Sequence, residues 1–301
     1  MSTPVEVATE QRPKPVRKPW WYTYFELLKF RLSFLVAFSG VLGYMMAAER
    51  PYSLWAMALF SISGLLVTGA ANAVNQVLEV EFDRLMQRTG DRPLPSGRLS
   101  KQKALIFVAV TLFLGLFIQT NSFNPLTAGV SFVSFLLYGF VYTPLKRVGS
   151  IAVYVGAIPG GLPPLIGWIA ATGTVNGEAW WLFALQFVWQ FTHFWAVAWV
   201  LDQDYAKAGF KLLPLKRPPS SRTATIILLF TIWLVPLAIV PYLMGYVGLV
   251  STLIAVVMAV VLIVFNVALV RSPTVATAKR LMFSAFAYLP IVQIAFVLDR
   301  I

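Results

Sequence analysis

The sequence predicts an all-α polytopic membrane bundle, on three observations. Long apolar runs recur along it, hydrophobic residues make up 58% of its 301 residues against 12% charged, and its basic residues gather in alternate connections. A soluble domain carries about a quarter charged residues, so composition alone argues for the membrane. There are no cysteines, which excludes disulfides and thiolate-held metals. The net charge of +12 would suggest nucleic acid in a soluble chain. Here positively charged loops and anionic headgroups account for it, so the expected partner surface is lipid and no nucleic acid is expected. The first residues are polar and Pro-rich, contain Glu6 and Glu10, and have no apolar core. That pattern is neither a secretory signal nor an acid-poor transit peptide, and the expected location is a bacterial cytoplasmic (inner) membrane. Residues 1–21 are expected to be a disordered polar tail, and 22–301 a single transmembrane domain.

Apolar runs fall at roughly 32–48, 55–77, 104–119, 125–143, 151–171, 179–200, 223–244, 247–270 and 281–298, each about long enough to span a bilayer. Nine transmembrane helices are therefore expected. Prolines inside the fifth, in Pro159-Gly-Gly-Leu-Pro163-Pro164, predict a kinked helix, because a bundle can cover the freed backbone groups. The charges fix the orientation. The tail and every second connection hold 22 of the 24 Lys and Arg residues, leaving Arg50 and Arg300 for the other side. The N-terminus is thus expected in the cytoplasm and the C-terminus outside.

The acids are as uneven. Of twelve, Glu79, Glu81, Asp83 and Asp91 surround the second connection, and Asp202 and Asp204 open the sixth. These segments follow helices two and six, which suggests two four-helix halves around one cavity plus a ninth helix, without residue-by-residue self-similarity.

Asn75, Glu79 and Asp83 are spaced by four, so they stack on one helical face. Two readings stand side by side: interfacial acids paired with Arg84 and Arg88, or oxygen ligands for a hard cation such as Mg²⁺. Glu81 points to the opposite side of the helix and reads as loop-paired. The second segment places Gln190, His193 and Asp204 on one face, His193 and Asp204 being about three turns apart. His193 is the single histidine. A lone histidine is usually a satisfied core residue, but an ionisable ring near two acids inside a membrane also suits a ligand. Asp202 and Asp204 could not both face one ion on a continuous helix, and Asp204 is the candidate preferred. Lys146 and Arg147 follow the fourth helix, either as a topology signal or as a clamp for a leaving diphosphate, with Arg88 and Arg92 sharing that role and Arg98 also near. The aromatic residues read mostly as bilayer packing; a minority could shield a carbocation.

Asn75-x3-Glu79-x3-Asp83 followed by Arg88-Thr-x-x-Arg92-Pro resembles the first acidic motif of the UbiA superfamily of intramembrane prenyltransferases. Tyr142-Thr143-x-Leu145-Lys146-Arg147, Gly160-Gly-Leu-Pro163-Pro164, Trp189-Gln190-x-x-His193-Phe194-Trp195 and Asp204-Tyr205-x-x-Ala208-Gly209 are similar to its haem-farnesylating branch, the haem O synthases. The resemblance spans roughly residues 22–300. It implies a Mg²⁺-dependent enzyme that moves farnesyl from farnesyl diphosphate to the vinyl group of haem B, giving haem O for haem-copper oxidases. It also implies catalytic roles for Asn75, Glu79, Asp83 and Asp204, and metal ligation by these with Asp202. Arg88, Arg92, Lys146 and Arg147 would bind diphosphate, and His193 would bind haem. Haem A synthase and oxidase assembly factors are candidate protein partners. The chain departs from the family pattern at Glu79, where Asp is usual, at Gln76, Glu81 and Phe191-Thr192, and in a second acidic motif reduced to Asp202-x-Asp204. The competing expectations are a related enzyme acting on an aromatic or quinone precursor, and an ion-coupled transporter. A transporter needs polar groups at mid-bilayer, whereas these acids sit at helix ends.

Overall fold

The computed structural model describes residues 19–215 and 219–301. The basic residues Arg12, Lys14, Arg17, Lys18, Lys216 and Arg217, and most of the expected tail, lie outside the described residues. Of that tail, Trp20 and Trp21 already belong to a helix, α1 (Trp20–Leu28).

Among the described residues every regular element is helical, with one isolated bridge between Val247 and Arg300. The order continues through α2 (Phe30–Ala47), α3 (Leu54–Leu78), α4 (Val80–Leu85), α5 (Lys101–Ser122), α6 (Pro125–Leu136), a π-helical turn (Leu137–Tyr142), α7 (Thr143–Leu145) and α8 (Ile151–Thr172). It closes with α9 (Gly177–Val200), α10 (Asp202–Lys207), α11 (Ser221–Ile232), α12 (Leu234–Leu243), α13 (Leu249–Arg271) and α14 (Val275–Leu298). Eight of the described helical segments are long and apolar enough to cross a membrane. The expected sixth run forms α9, 24 residues long, but it falls outside that set. Gln186, Gln190 and His193, with five tryptophans, dilute its hydropathy.

Helix starts follow their sequence signals. Ser53, Ser100, Asn124 and Asn176 each accept a hydrogen bond from a backbone amide of the first turn, and Thr274 and Thr277 form a capping box. The core is sealed by small residues where α2 crosses α8. A Cβ added to Gly43 would run into the Pro164 carbonyl, and one on Gly167 into that of Gly40.

The prolines of α8 leave carbonyls without intrahelical donors, because proline has no N–H. Pro164 frees the Gly160 carbonyl, and α9 supplies the replacements: Gln186 Nε2 donates to it at 2.8 Å and Gln190 Nε2 at 2.9 Å. Gln186 Oε1 in turn accepts from Ser39 at 2.7 Å and from Gln293 at 2.9 Å, tying α2, α8, α9 and α14 together. Burying these amides is tolerable because they bond each other. Gln190 is therefore a helix-mending residue.

Candidate active site at the paired helix breaks

α3 ends at Leu78, Glu79 takes φ −104° and ψ 10°, and α4 starts at Val80. The kink preserves the face. The Glu79 amide still donates to the Asn75 carbonyl at 3.0 Å, and that of Asp83 to the Glu79 carbonyl at 2.8 Å. Asn75, Glu79 and Asp83 are 1%, 3% and 0% exposed, so each must find partners inside the protein.

Three basic side chains from three places provide them. Arg92 Nη1 reaches both oxygens of Asp83, at 2.9 and 2.8 Å. It is aimed there because the chain after α4 folds back: Thr89 Oγ1 donates to the Asp83 carbonyl and the Arg92 amide to the Thr89 carbonyl. Lys146 Nζ hydrogen-bonds Glu79 Oε2 at 3.0 Å and lies 2.9 Å from Oε1. The angle to Oε1 misses a hydrogen bond, so that buried oxygen has an ion-pair partner but no donor aligned with it. Lys146 also stands 4.8 Å from the centre of the Tyr142 ring, a cation–π contact. Burial alone would lower the Lys146 pKa, but Glu79 outweighs it and the net shift is upward.

The third cation is Lys29, between α1 and α2. Its Nζ donates to Asn75 Oδ1 at 3.3 Å, while Asn75 Nδ2 donates to Thr143 Oγ1 at 3.1 Å. Lys29 holds φ 48° and ψ 54°, the left-handed region that side chains rarely adopt. The break leaves carbonyls at the end of α1 open; Gln76 Nε2 donates to that of Leu27 at 2.8 Å and Ser33 Oγ to that of Leu28 at 2.7 Å. The amide at position 76, a departure from the family pattern, thus serves the backbone. Burial, then Arg92 and Lys146, hold the Lys29 pKa well below its usual value. Three cations around two carboxylates leave the cluster short of negative charge.

The second acidic segment repeats the backbone device. α9 ends at Val200, Leu201 takes φ −100° and ψ 11°, and the six-residue α10 begins at Asp202. The break interrupts the register expected from Gln190 to Asp204. Asp204 does not face the carboxylates of the first segment: its oxygens accept from the amides of Gln87 at 2.9 Å and Arg88 at 3.3 Å, with Lys207 Nζ at 3.4 Å. Partial burial would raise its pKa, but the two amides and Lys207 hold it below the usual carboxylate value. Asp202 stands in the first turn of α10.

The other expected residues are placed apart. The Arg88 guanidinium lies 5.9 Å from the Tyr205 ring centre. Arg147 stacks 4.1 Å from the Phe82 ring centre and donates to the Leu78 carbonyl at 3.4 Å, capping α3. Arg98 pairs with Glu26 at 2.6 Å, and Glu81 pairs with Arg84 at 2.8 Å. His193 lies parallel on Trp189, centroids 4.7 Å apart, and edge-on to Phe286 at 4.6 Å; its Nδ1 is buried without a hydrogen-bond partner.

Among the described residues no three His, Asp or Glu side chains converge as a ready-made metal cage. Mg²⁺ does not require one: it takes one or two carboxylates and fills its octahedron with water and substrate phosphate. Glu79 and Asp83, hard oxygen donors with one Glu79 oxygen lacking an aligned donor, fit that demand.

A family model described as the UbiA prenyltransferase family matches residues 36–289. The chain belongs to this family. Among UbiA relatives, the "Protoheme IX farnesyltransferase" of Cytophaga hutchinsonii is 48% identical over 280 residues, covering 92% of this chain and 97% of that protein. The protein of the same name from Flavobacterium psychrophilum is 38% identical over 293 residues, covering 95% and 97%. A solved UbiA homologue from Archaeoglobus fulgidus, bound to DMAPP and Mg²⁺, shares the fold with a TM-score of 0.67 at 16% identity, over 89% of this chain and 99% of that one. In this UbiA chain, Thr143 and Lys29 join the site on either side of Asn75 although no motif spacing singled them out. The signal for Lys29 was a charged Lys29-Phe-Arg31 triplet interrupting an apolar run.

Proposed function

We propose that this chain transfers the farnesyl group of farnesyl diphosphate to the vinyl group of haem B, forming haem O. The observation that carries the reading is the buried cluster of Glu79 and Asp83 against Arg92, Lys146 and Lys29, in a UbiA chain 48% identical to a protein named for this reaction. The chain crosses the bacterial inner membrane nine times in this reading, with α9 as the least apolar crossing. Its N-terminus is cytoplasmic, its C-terminus outside, and residues 22–301 form one domain. The basic connections support that orientation.

Glu79 and Asp83, with Asn75 beside them, would hold Mg²⁺, which supplies Lewis-acid stabilisation of the leaving diphosphate. Lys146 and Arg92 bind the diphosphate oxygens and neutralise charge as the C1–O bond breaks, with Arg88 at the rim. The bond's electron pair leaves with the diphosphate, and C1 of farnesyl becomes an allylic cation. The rings of Tyr142, Tyr138 and Phe194 keep water away and offer π faces to that charge. The vinyl π electrons of haem B attack C1. The new cation beside the porphyrin takes up water and loses a proton, giving a hydroxyethylfarnesyl group. Asp204 fastens the chain at Gln87 and Arg88 and so positions Arg88 and Arg92; Asp202 lies beside it. His193 binds the haem substrate through its imidazole, which makes no hydrogen bond among the described residues.

Purified protein given haem B, farnesyl diphosphate and Mg²⁺ should yield haem O by mass spectrometry. Conversion of a phenolic acceptor with haem B untouched would replace this reading with that of a quinone-type enzyme.

A further inference from the structure

We infer that Lys29, Lys146 and Arg92 are exchangeable partners: each yields its oxygen acceptor on Asn75, Glu79 or Asp83 to a divalent cation and moves to the diphosphate, so that metal and diphosphate bind as an obligatory pair. This rests on the prenyl-diphosphate reading above and adds Lys29 to the groups that bind substrate.

The correspondence is one to one. Lys29 holds Asn75 Oδ1, Lys146 holds Glu79, and Arg92 holds both oxygens of Asp83. The three cations come from the α1–α2 junction, the chain after α7 and the chain after α4, so they surround the donors from separate elements. A divalent cation approaching these oxygens alone meets three positive groups in a buried site, where repulsion is poorly screened. A diphosphate alone meets two buried carboxylates. Together, the metal takes the acids and the phosphates take the cations, and every charge keeps an opposite neighbour.

The local structure suits an exchange. The Lys29 contact is the longest of the set, at 3.3 Å. Lys146 rests on the Tyr142 face, which supports the ammonium on either partner. Glu79 Oε1, with no aligned donor, is the oxygen most open to a metal. Lys29 is kept pointing inward by a left-handed backbone that persists because Gln76 and Ser33 secure the carbonyls before it. A lysine there for topology alone would need neither the contact to Asn75 nor the strained backbone.

The test is calorimetric titration of the full chain in lipid nanodiscs with Mg²⁺ alone, inorganic pyrophosphate alone, and preformed Mg²⁺–pyrophosphate. The pair should bind about tenfold or more tighter than either component. In Lys29→Met, Mg²⁺ alone should bind more tightly and pyrophosphate more weakly, each by several fold, and Lys29→Arg should restore the wild-type order. Structural damage would weaken both ligands together. Equal affinity of the wild type for Mg²⁺ alone and for the pair overturns the exchange, as does a parallel loss of both affinities in Lys29→Met. The wild-type comparison decides the matter if Lys29→Met does not fold. A chain that pairs the two ligands yet leaves haem B unchanged overturns the haem reading alone, and one that makes haem O while binding Mg²⁺ equally well alone overturns only the exchange.

Discussion

The two acidic segments share a backbone and differ in chemistry. Each is a long helix, one residue near φ −100° and ψ 10°, and a helix of six residues. In the first, the residue at the break is Glu79 and Asp83 follows four positions later, so both carboxylates enter the bundle and are buried, while Glu81 between them turns outward to Arg84. In the second the break falls on Leu201, and Asp204 follows three positions later. That one-residue offset turns the carboxylate about 100° around the helix, and it ends on the amides of Gln87 and Arg88 instead of inside. A repeated scaffold thus places a charged cluster on one side and a fastening on the other.

Substitutions should separate the two roles, and the largest effect is expected at Asp83. Asp83→Asn leaves Arg92 uncompensated in a buried site and removes one candidate metal oxygen. Turnover should fall by about two to three orders of magnitude with helical content retained in circular dichroism. A loss under about tenfold would erase the distinction between the segments. Asp204→Asn should be milder, about tenfold in kcat/KM, because it loosens the chain that carries Arg88 and Arg92 without entering the cluster. Since the folded pKa of Asp204 is depressed, its stabilisation is present above the unfolded value and lost as pH falls through the folded one. Protease sensitivity near residues 86–92 should therefore rise at pH below the ordinary carboxylate range, and Asp204→Asn should abolish that rise. Glu79→Asp keeps the charge and shortens the reach, so activity should stay within about tenfold of wild type. Arg147→Ala should change kcat/KM by less than about threefold, because its guanidinium caps α3 on the Phe82 ring. A loss comparable with Asp83→Asn would bring Arg147 into the diphosphate site.

Much of this was legible from periodicity and charge. The apolar runs located the helices, and spacing by four put Asn75, Glu79 and Asp83 on the face they share. The arginine and lysine runs led to Arg92 and Lys146, which do meet those acids. Other features lie beyond one-dimensional patterns. Nothing in the spacing distinguishes a kink at Glu79 from a straight helix, because the hydrogen bonds on either side persist. Arg147 and Lys146 are neighbours in sequence yet take different partners, the Leu78 carbonyl and Phe82 ring for the one and the Glu79 carboxylate for the other. Gln190 looked like part of a polar site because the carbonyl it mends is freed by Pro164, on another helix.

The most direct measurement is the mass of the product formed from haem B, farnesyl diphosphate and Mg²⁺ by the wild type, Asp83→Asn and Asp204→Asn proteins in parallel. Haem O is expected from the wild type, with a reduced yield from Asp204→Asn and almost none from Asp83→Asn. Absence of haem O from the wild type, or equal losses in the two variants, would contradict this expectation.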